Sequence, residues 1–233
     1  FHLASVVPAG ERSPLICVRP DDVRAEWIGP GVEILIFHLP HNWSASRLPV
    51  IGWDAESSGI IASGRLWTVA RPGSRYRLDN VRAALGEPGD WYHDHETGRL
   101  TYVPLPGERP EMARVVAPQL PHLVRLVGDP GKGRPVRHVI FRGLTFAHSS
   151  WVLPADGYSF CQAEAICPAA VWATHADHVA IERCEFRHLG GYAVEAGDGC
   201  SAVVVRDCDM VDLGAGGVKL GTIRTEQPAH SCT

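Results

Sequence analysis

HVAIERCEFRHLGGYAVEAG, residues 178–197, is followed by AVVVRDCDMVDLGAGGVKLG, residues 202–221, which repeats its pattern at an offset of 24. Apolar positions coincide at Val179/Val203, Ile181/Val205, Cys184/Cys208, Phe186/Met210, Leu189/Leu213, Val194/Val218 and Ala196/Leu220, and Gly190 falls on Gly214. An earlier copy, HVIFRGLTFAH (138–148), fits at an offset of 40, with Val139, Phe141, Leu144, Phe146 and His148 over Val179, Ile181, Cys184, Phe186 and His188. That gap equals one 24-residue unit plus an extra loop. A period in the low twenties built from short alternating runs is the sequence form of a parallel β-helix, whose single coils cannot bury a face alone and must stack. The apolar parity shifts between Ile181 and Cys184 and again before Leu189, as a strand, a corner and a strand on another sheet would require. Each copy is therefore expected to supply three short strands, and the fold class is all-β.

Composition agrees. The 233 residues are 45% hydrophobic, enough for a sizeable core, and 24 glycines with 18 prolines favour many turns over helices. A net charge of −4 carries no basic surplus, which argues against a nucleic-acid partner held by phosphate neutralisation. No apolar run approaches the ~20 residues that span a bilayer, and no signal pattern opens the chain. Because it starts at Phe1 and breaks off in mid-pattern, the sequence reads as a segment of something longer.

The seven cysteines (17, 161, 167, 184, 200, 208 and 232) show no zinc-like CxxC spacing, and an odd number leaves at least one unpaired. No metal or cofactor is expected. Cys184 and Cys208, inward and one coil apart, should lie roughly 5 Å from each other. They are read as buried thiols, with a disulfide also within that distance.

Three regions follow along the chain. Residues 1–26 are an N-terminal segment without clear pattern. Residues 27–112 lack the 24-residue period and form a small β-rich module, with strands expected at 32–39, 48–53, 66–69 and 74–78, a helical turn at 80–85 and a hairpin turning at 94–98. Residues 113–233 carry the coils, interrupted at 151–168 by a stretch too long for a corner, which is expected to project as a loop over the coil surface.

The strings HNWSASR (41–47), YRLDNVRAALGEPGDWYHDHETGRLTYVPLPGE (76–108), HVIFRGLTFAHSSW (138–151) and HLGGYAVEAGDGC…DLGAGGVKLG (188–221) resemble the right-handed parallel β-helix proteins related to glycoside hydrolase family 141. The resemblance implies a small β domain inserted into the early coils. It also implies an exported carbohydrate-active enzyme, extracellular or periplasmic, acting on complex glycans, since members of that family include fucosidases and xylanases. Catalysis in the family is attributed to a pair of acidic side chains on the β-helix surface, and the second of them is expected either here or in a coil beyond Thr233.

Glycoside hydrolysis needs two carboxyl groups flanking the bond, about 5 Å apart for retention or roughly 6.5–9.5 Å for inversion. Asp212 occupies the coil position also held by His188 and His148, giving a polar column; it is read as one acid with the histidines orienting substrate hydroxyls, against the alternative of a solvated corner. Glu195 and Lys219 hold equivalent positions and should project together, as a plain ion pair or as a second candidate acid with its partner. Asp198, Asp207, Asp209 and Glu164 read first as turn, corner and loop residues. Trp151, Trp172 and Tyr192 are candidates for stacking on sugar faces, with His41 and Trp43 from the first module. The partner is an oligo- or polysaccharide, with no nucleic acid and no membrane. Two rival readings remain open: a polysaccharide lyase, for which Lys219 and Arg206 are thin support, and a non-catalytic glycan-binding β-helix.

Overall fold

Alternation of apolar and polar residues sets the strands throughout, and what differs along the chain is how those strands pair. The computed structural model describes residues 1–7, 14–40, 43–68, 70–160, 162–222 and 229–233. Two compact units are present: Phe1–Arg114 with Leu153–Gln162, and Val115–Val152 with Ala163–Thr233.

In the first unit, β1 (Ser5–Val7), β2 (Leu15–Cys17), β3 (Glu33–Phe37), β4 (Ala45–Asp54), β5 (Gly59–Ala62) and β6 (Tyr76–Asp79) pair antiparallel in the order β1-β2-β5-β4-β3-β6. The run EILIF shows the logic: Ile34 and Ile36 are fully buried and the residues between them are not, as a two-residue period demands. Ile16, Leu48 and Ile60 complete that core. β7 (Trp91–Asp94) and β8 (Arg99–Tyr102) form the expected hairpin, with Asp94 Oδ1 accepting the amides of Glu96 and Thr97 across the turn. The helical turn expected at 80–85 is a 3-10 turn at Arg82–Ala84. Residues 66–68, expected as part of a strand, are in none; Val69 lies outside the described residues.

The second unit opens with β9 (Val124–Val127), β10 (Val136–Arg142) and β11 (Thr145–Ala147). The chain then leaves the coils. The stretch expected to project as a loop gives β12 (Tyr158–Ser159) to the first unit, where it pairs antiparallel with β4 and the Ser159 and Ser46 hydroxyls lie 2.5 Å apart. An extended backbone beside an open strand edge satisfies its amides by joining it. Coils resume with β13 (Ala169–Thr174), β14 (Ala176–Glu182), β15 (Glu185–Leu189), β16 (Tyr192–Ala196), β17 (Ser201–Arg206), β18 (Asp209–Leu213) and β19 (Val218–Leu220). Among the described residues they build three parallel sheets, β10-β14-β17, β11-β15-β18 and β19-β16-β13-β9. Each coil thus gives one strand to each sheet, a β-helix-like arrangement.

The register is that of the repeat. Val179 pairs with Val203, Phe186 with Met210, Leu189 with Leu213 and Val194 with Val218, and the earlier copy places Val139 on Val179 and Phe146 on Phe186. Inward columns follow, and the rings of Phe146 and Phe186 stack at 4.9 Å. Cys184 and Cys208 are free thiols, and burial pushes the Cys208 thiol up. The repeated glycines have a steric cause: a Cβ on Gly214 would sit 2.4 Å from the Gly190 carbonyl oxygen, and one on Gly190 would sit 2.5 Å from the Trp151 amide nitrogen.

Residues with positive φ also fall in columns: His138, His178 and Ala202 inside β10, β14 and β17; Gly143, Arg183 and Asp207 at the corner to the next sheet; and His148, His188 and Asp212 near the ends of β11, β15 and β18. Histidine and aspartate tolerate this left-handed conformation better than most residues with a Cβ, so the backbone itself favours polar side chains at these places.

The stacked aromatic column should dominate the stability of the coils. Truncating fully buried Phe186 to Ala is expected to lower unfolding free energy by about 3–5 kcal/mol, whereas Ile140→Ala, at a position 61% exposed, should change it by no more than about 0.5 kcal/mol. Urea denaturation of both variants measures the contrast.

Candidate active site on the parallel sheets

The sheet β11-β15-β18 turns Phe146, Phe186 and Met210 inward, so the residues between them face out. Thr145, Glu185 and Asp209 make one outward row, and Ala147, Arg187 and Val211 the next. Beyond them, at the corner, runs the column His148, His188, Asp212. The rings of His148 and His188 stack at 5.2 Å with 15° between their planes, and His188 Nδ1 donates to Asp212 Oδ2 at 2.6 Å. The predicted column is therefore a connected one. Its His188 and Asp212 side chains remain open, being 53% and 69% exposed.

Two further carboxylates share this face. Glu185 accepts the Thr145 hydroxyl at 3.1 Å and lies 3.4 Å from the Arg187 guanidinium. Asp209 stands directly opposite Glu185 on the next coil, where strand spacing sets their backbones about 4.8 Å apart. Like charges placed opposite one another work against a sheet. Along β18, the three residues from Asp209 to Asp212 span roughly 10 Å. Reading Asp209 as a corner residue missed this, because the corner ends one residue earlier, at Cys208.

Glu195 and Lys219 lie on the other sheet, β19-β16-β13-β9, in one outward row with Arg125 and Trp172. They pair as predicted, Nζ to Oε2 at 2.9 Å, and are enclosed rather than open: Glu195 is 7% exposed. Lys219 Nζ also donates to the carbonyls of Ala165 and Cys167, at 3.0 and 2.9 Å, and sits 5.0 Å from the Tyr192 ring. All three ammonium donors are thereby engaged, and the lysine straps residues 163–167 down on the coil. The Tyr192 hydroxyl donates to the Ala163 carbonyl, and burial raises its pKa, which keeps it a donor. Burial, with Glu164 nearby, pushes the Cys167 thiol up to about 11. The structure does not bring Glu195 onto the face that carries Asp212.

Of the predicted aromatic residues, Trp151 packs with Tyr192, Cys167 and Ala169. Trp172 is flanked by the His122 ring at 5.5 Å and the Arg125 guanidinium at 5.1 Å. Trp43 belongs to the first unit and is 72% exposed; His41 lies outside the described residues. Among the described residues, no group of three or more His, Cys, Asp or Glu side chains converges as a metal site would, and no helix is long and apolar enough to cross a membrane.

Glu182 escaped the sequence reading altogether. It is 6% exposed and clamped between Arg142 (Nη2, 2.6 Å) and Arg206 (Nη2, 2.6 Å). The Arg142 hydrogen bond, with the charges of both arginines, holds its carboxyl below the usual range. The signal was present at the repeat offsets, as a plus-minus-plus column through Arg142, Glu182 and Arg206.

Comparison with known proteins adds a fold. No protein-family model matches the sequence, and no curated protein matches it. A solved structure named "Glycoside hydrolase" superposes with a TM-score of 0.71 at 22% identity, over 89% of this chain. The chain spans 42% of the length of that structure.

Two outcomes follow from these ion pairs. Lys219→Met leaves a buried carboxylate and two carbonyls unpartnered and should destabilise by roughly 3–5 kcal/mol, more than Glu195→Gln, which keeps hydrogen bonding; thermal unfolding ranks the two. A carboxyl whose folded pKa is depressed stabilises above its unfolded value and loses that contribution as pH falls through the folded one. The Glu182 contribution should therefore be complete above about pH 4.3 and disappear on further acidification. In urea midpoints followed from neutral pH into acid, Glu182→Gln should flatten the acid limb while lowering stability at neutral pH.

Proposed function

We propose that this chain is part of a glycoside hydrolase that cleaves a complex polysaccharide, and that its coils form a right-handed parallel β-helix of the kind found in proteins related to glycoside hydrolase family 141. In this reading the strands of the first unit are the small inserted β domain, and the protein is exported. The observation that carries the proposal is the outward face of β11-β15-β18, which sets Asp212, Asp209 and Glu185 beside the stacked His148 and His188. The likeness in fold to a structure named as a glycoside hydrolase supports it.

Asp212 supplies one carboxyl and Asp209 the other. A backbone separation of roughly 10 Å along the strand leaves carboxyl groups in the range that admits a water opposite the leaving group, the inverting geometry. One acid protonates the glycosidic oxygen as the bond to the anomeric carbon breaks; the other takes a proton from the attacking water. The Asp212–His188 hydrogen bond orients the imidazole, and His148, stacked on it, extends the polar edge along which sugar hydroxyls bind. Glu185, held by Thr145 and Arg187, anchors a further hydroxyl. Glu195 and Lys219 fix residues 163–167 and, with Tyr192 and Trp151, shape the neighbouring surface; Trp172 offers a ring on the same sheet as that pair. Trp43, and His41 by its place in the sequence, belong to the saccharide-binding surface of the inserted domain.

The test is release of oligosaccharides from a panel of plant and microbial polysaccharides by the purified chain. Asp212→Asn and Asp209→Asn should each lower turnover by about 10²–10⁴-fold with unchanged melting curves, and the first product formed should have inverted anomeric configuration by proton NMR. Full activity in both variants removes the assignment. An unsaturated, ultraviolet-absorbing product would instead identify a lyase, and binding without cleavage a glycan-binding module.

A further inference from the structure

A cavity of about 530 Å³ opens within the first unit, remote in sequence from every residue of the parallel sheets. One wall is the end of the β3-β6 pair, where Glu33 and Asp79 are direct cross-strand partners. Arg47, from β4, bridges them through Nη1 at 2.7 Å to each, and Arg77 adds a second contact to Asp79 at 2.7 Å. The opposite wall is the β7 strand, with Trp91, 61% exposed, and the His93 and His95 rings 4.6 Å apart. Asn80 ties the two walls: its amide donates to the carbonyls of Gly31 and His93 and accepts the His93 amide at 2.8 Å. Gly31, at φ +78, sits where a Cβ would strike the His95 ring, so the two walls approach as closely as the backbone allows. The cleft is thus braced before any ligand arrives.

Its chemistry narrows what fits. The guanidiniums of Arg47 and Arg77 already face carboxylates, so an anion finds no unopposed positive charge. Glu33 and Asp79 are held by those guanidiniums, and Asp90 at the rim accepts the amides of Gly86 and Glu87, so the lining offers an anion no positive surplus. What remains is alternating hydrogen-bond capacity, with further N–H groups on Arg47 and the second oxygen of Glu33, beside one broad apolar ring. Hydroxyl groups both donate and accept, and a pyranose presents them around an apolar C–H face that an indole can cover.

We propose that this cleft is a binding site for an uncharged saccharide, separate from the carboxylate face of the coils. The carbohydrate reading of the whole chain guides only the choice of probes; the site itself follows from the cleft. The experiment is isothermal titration of the full chain with cellohexaose, xylohexaose and mannohexaose, with oligogalacturonate as the anionic comparison. At least one neutral hexasaccharide should bind saturably and the oligogalacturonate should not bind more tightly. Trp91→Ala should weaken binding roughly tenfold, the scale of one lost stacking ring, with Trp91→Phe in between and Ile140→Ala, at an exposed position of the coils, unchanged. In the ¹⁵N-labelled wild-type chain, the His93 and Asn80 amides should shift on titration, a readout that needs no variant. The proposal is overturned if no neutral hexasaccharide binds, if those amides stay still, or if Trp91→Ala binds as tightly as wild type. Binding that depends on Asp212 instead would assign the saccharide to the coils and sink this site alone. Trp91-dependent binding without any hydrolysis would sink the catalytic proposal and leave this one standing.

Discussion

Parallel stacking in register is the constraint on which the second unit depends. Because each coil lies on its counterpart about 4.8 Å away, any residue choice made once becomes a column when it is repeated. Apolar columns, such as Phe146 on Phe186, close the core. A glycine column, Gly190 and Gly214, lets two backbones approach where a methyl group would collide. Charged columns have to alternate in sign to be tolerated, and Arg142-Glu182-Arg206 does so with its carboxylate buried between two guanidiniums.

Against that background the row through Glu185 and Asp209 stands apart. Its carboxylates lie opposite each other, with Arg187 and the Thr145 hydroxyl beside Glu185. Sheet stability alone would favour a lysine or a threonine at either place. Next to them the His148-His188-Asp212 column has a double origin. Left-handed corners favour histidine and aspartate for conformational reasons, yet the hydrogen bond from His188 to Asp212 and the ring stack above it produce an oriented, solvent-facing polar edge that a mere corner does not need. Glu195 shows the opposite case. Enclosed by Lys219, two backbone carbonyls hold that lysine in place, and the pair serves to fasten the segment that returns to the coils.

The first unit follows different rules. Its strands pair antiparallel with neighbours near in sequence, apart from β12, which arrives from more than a hundred residues downstream to join β4. Nothing repeats there, so no column announces which side chains will meet. The cleft between the β3-β6 pair and β7 is assembled from segments tied together by Asn80, a single residue with a left-handed backbone and three hydrogen bonds.

By itself the sequence determined the all-β character, the 24-residue register, the three strands per coil, and the columns through Phe186, Glu195 with Lys219, and Asp212, because periodicity of side-chain chemistry is a property of the string and stacking converts it directly into contacts. It also placed the hairpin turning at 94–98, where Asp94 and Gly98 have fixed local roles. Only the tertiary structure decided which faces stay open. Glu195 and Asp212 look alike as outward acids, and one is enclosed because residues 163–167 fold over it. Asp209 became an outward strand residue because the corner closed one position sooner than its neighbours suggested. Tyr158 and Ser159, within the 151–168 stretch, became part of another sheet because their backbone found an edge to pair with. These outcomes depend on where non-repeating segments come to rest, a matter of hydrogen bonds between residues distant in the chain, which no local pattern encodes.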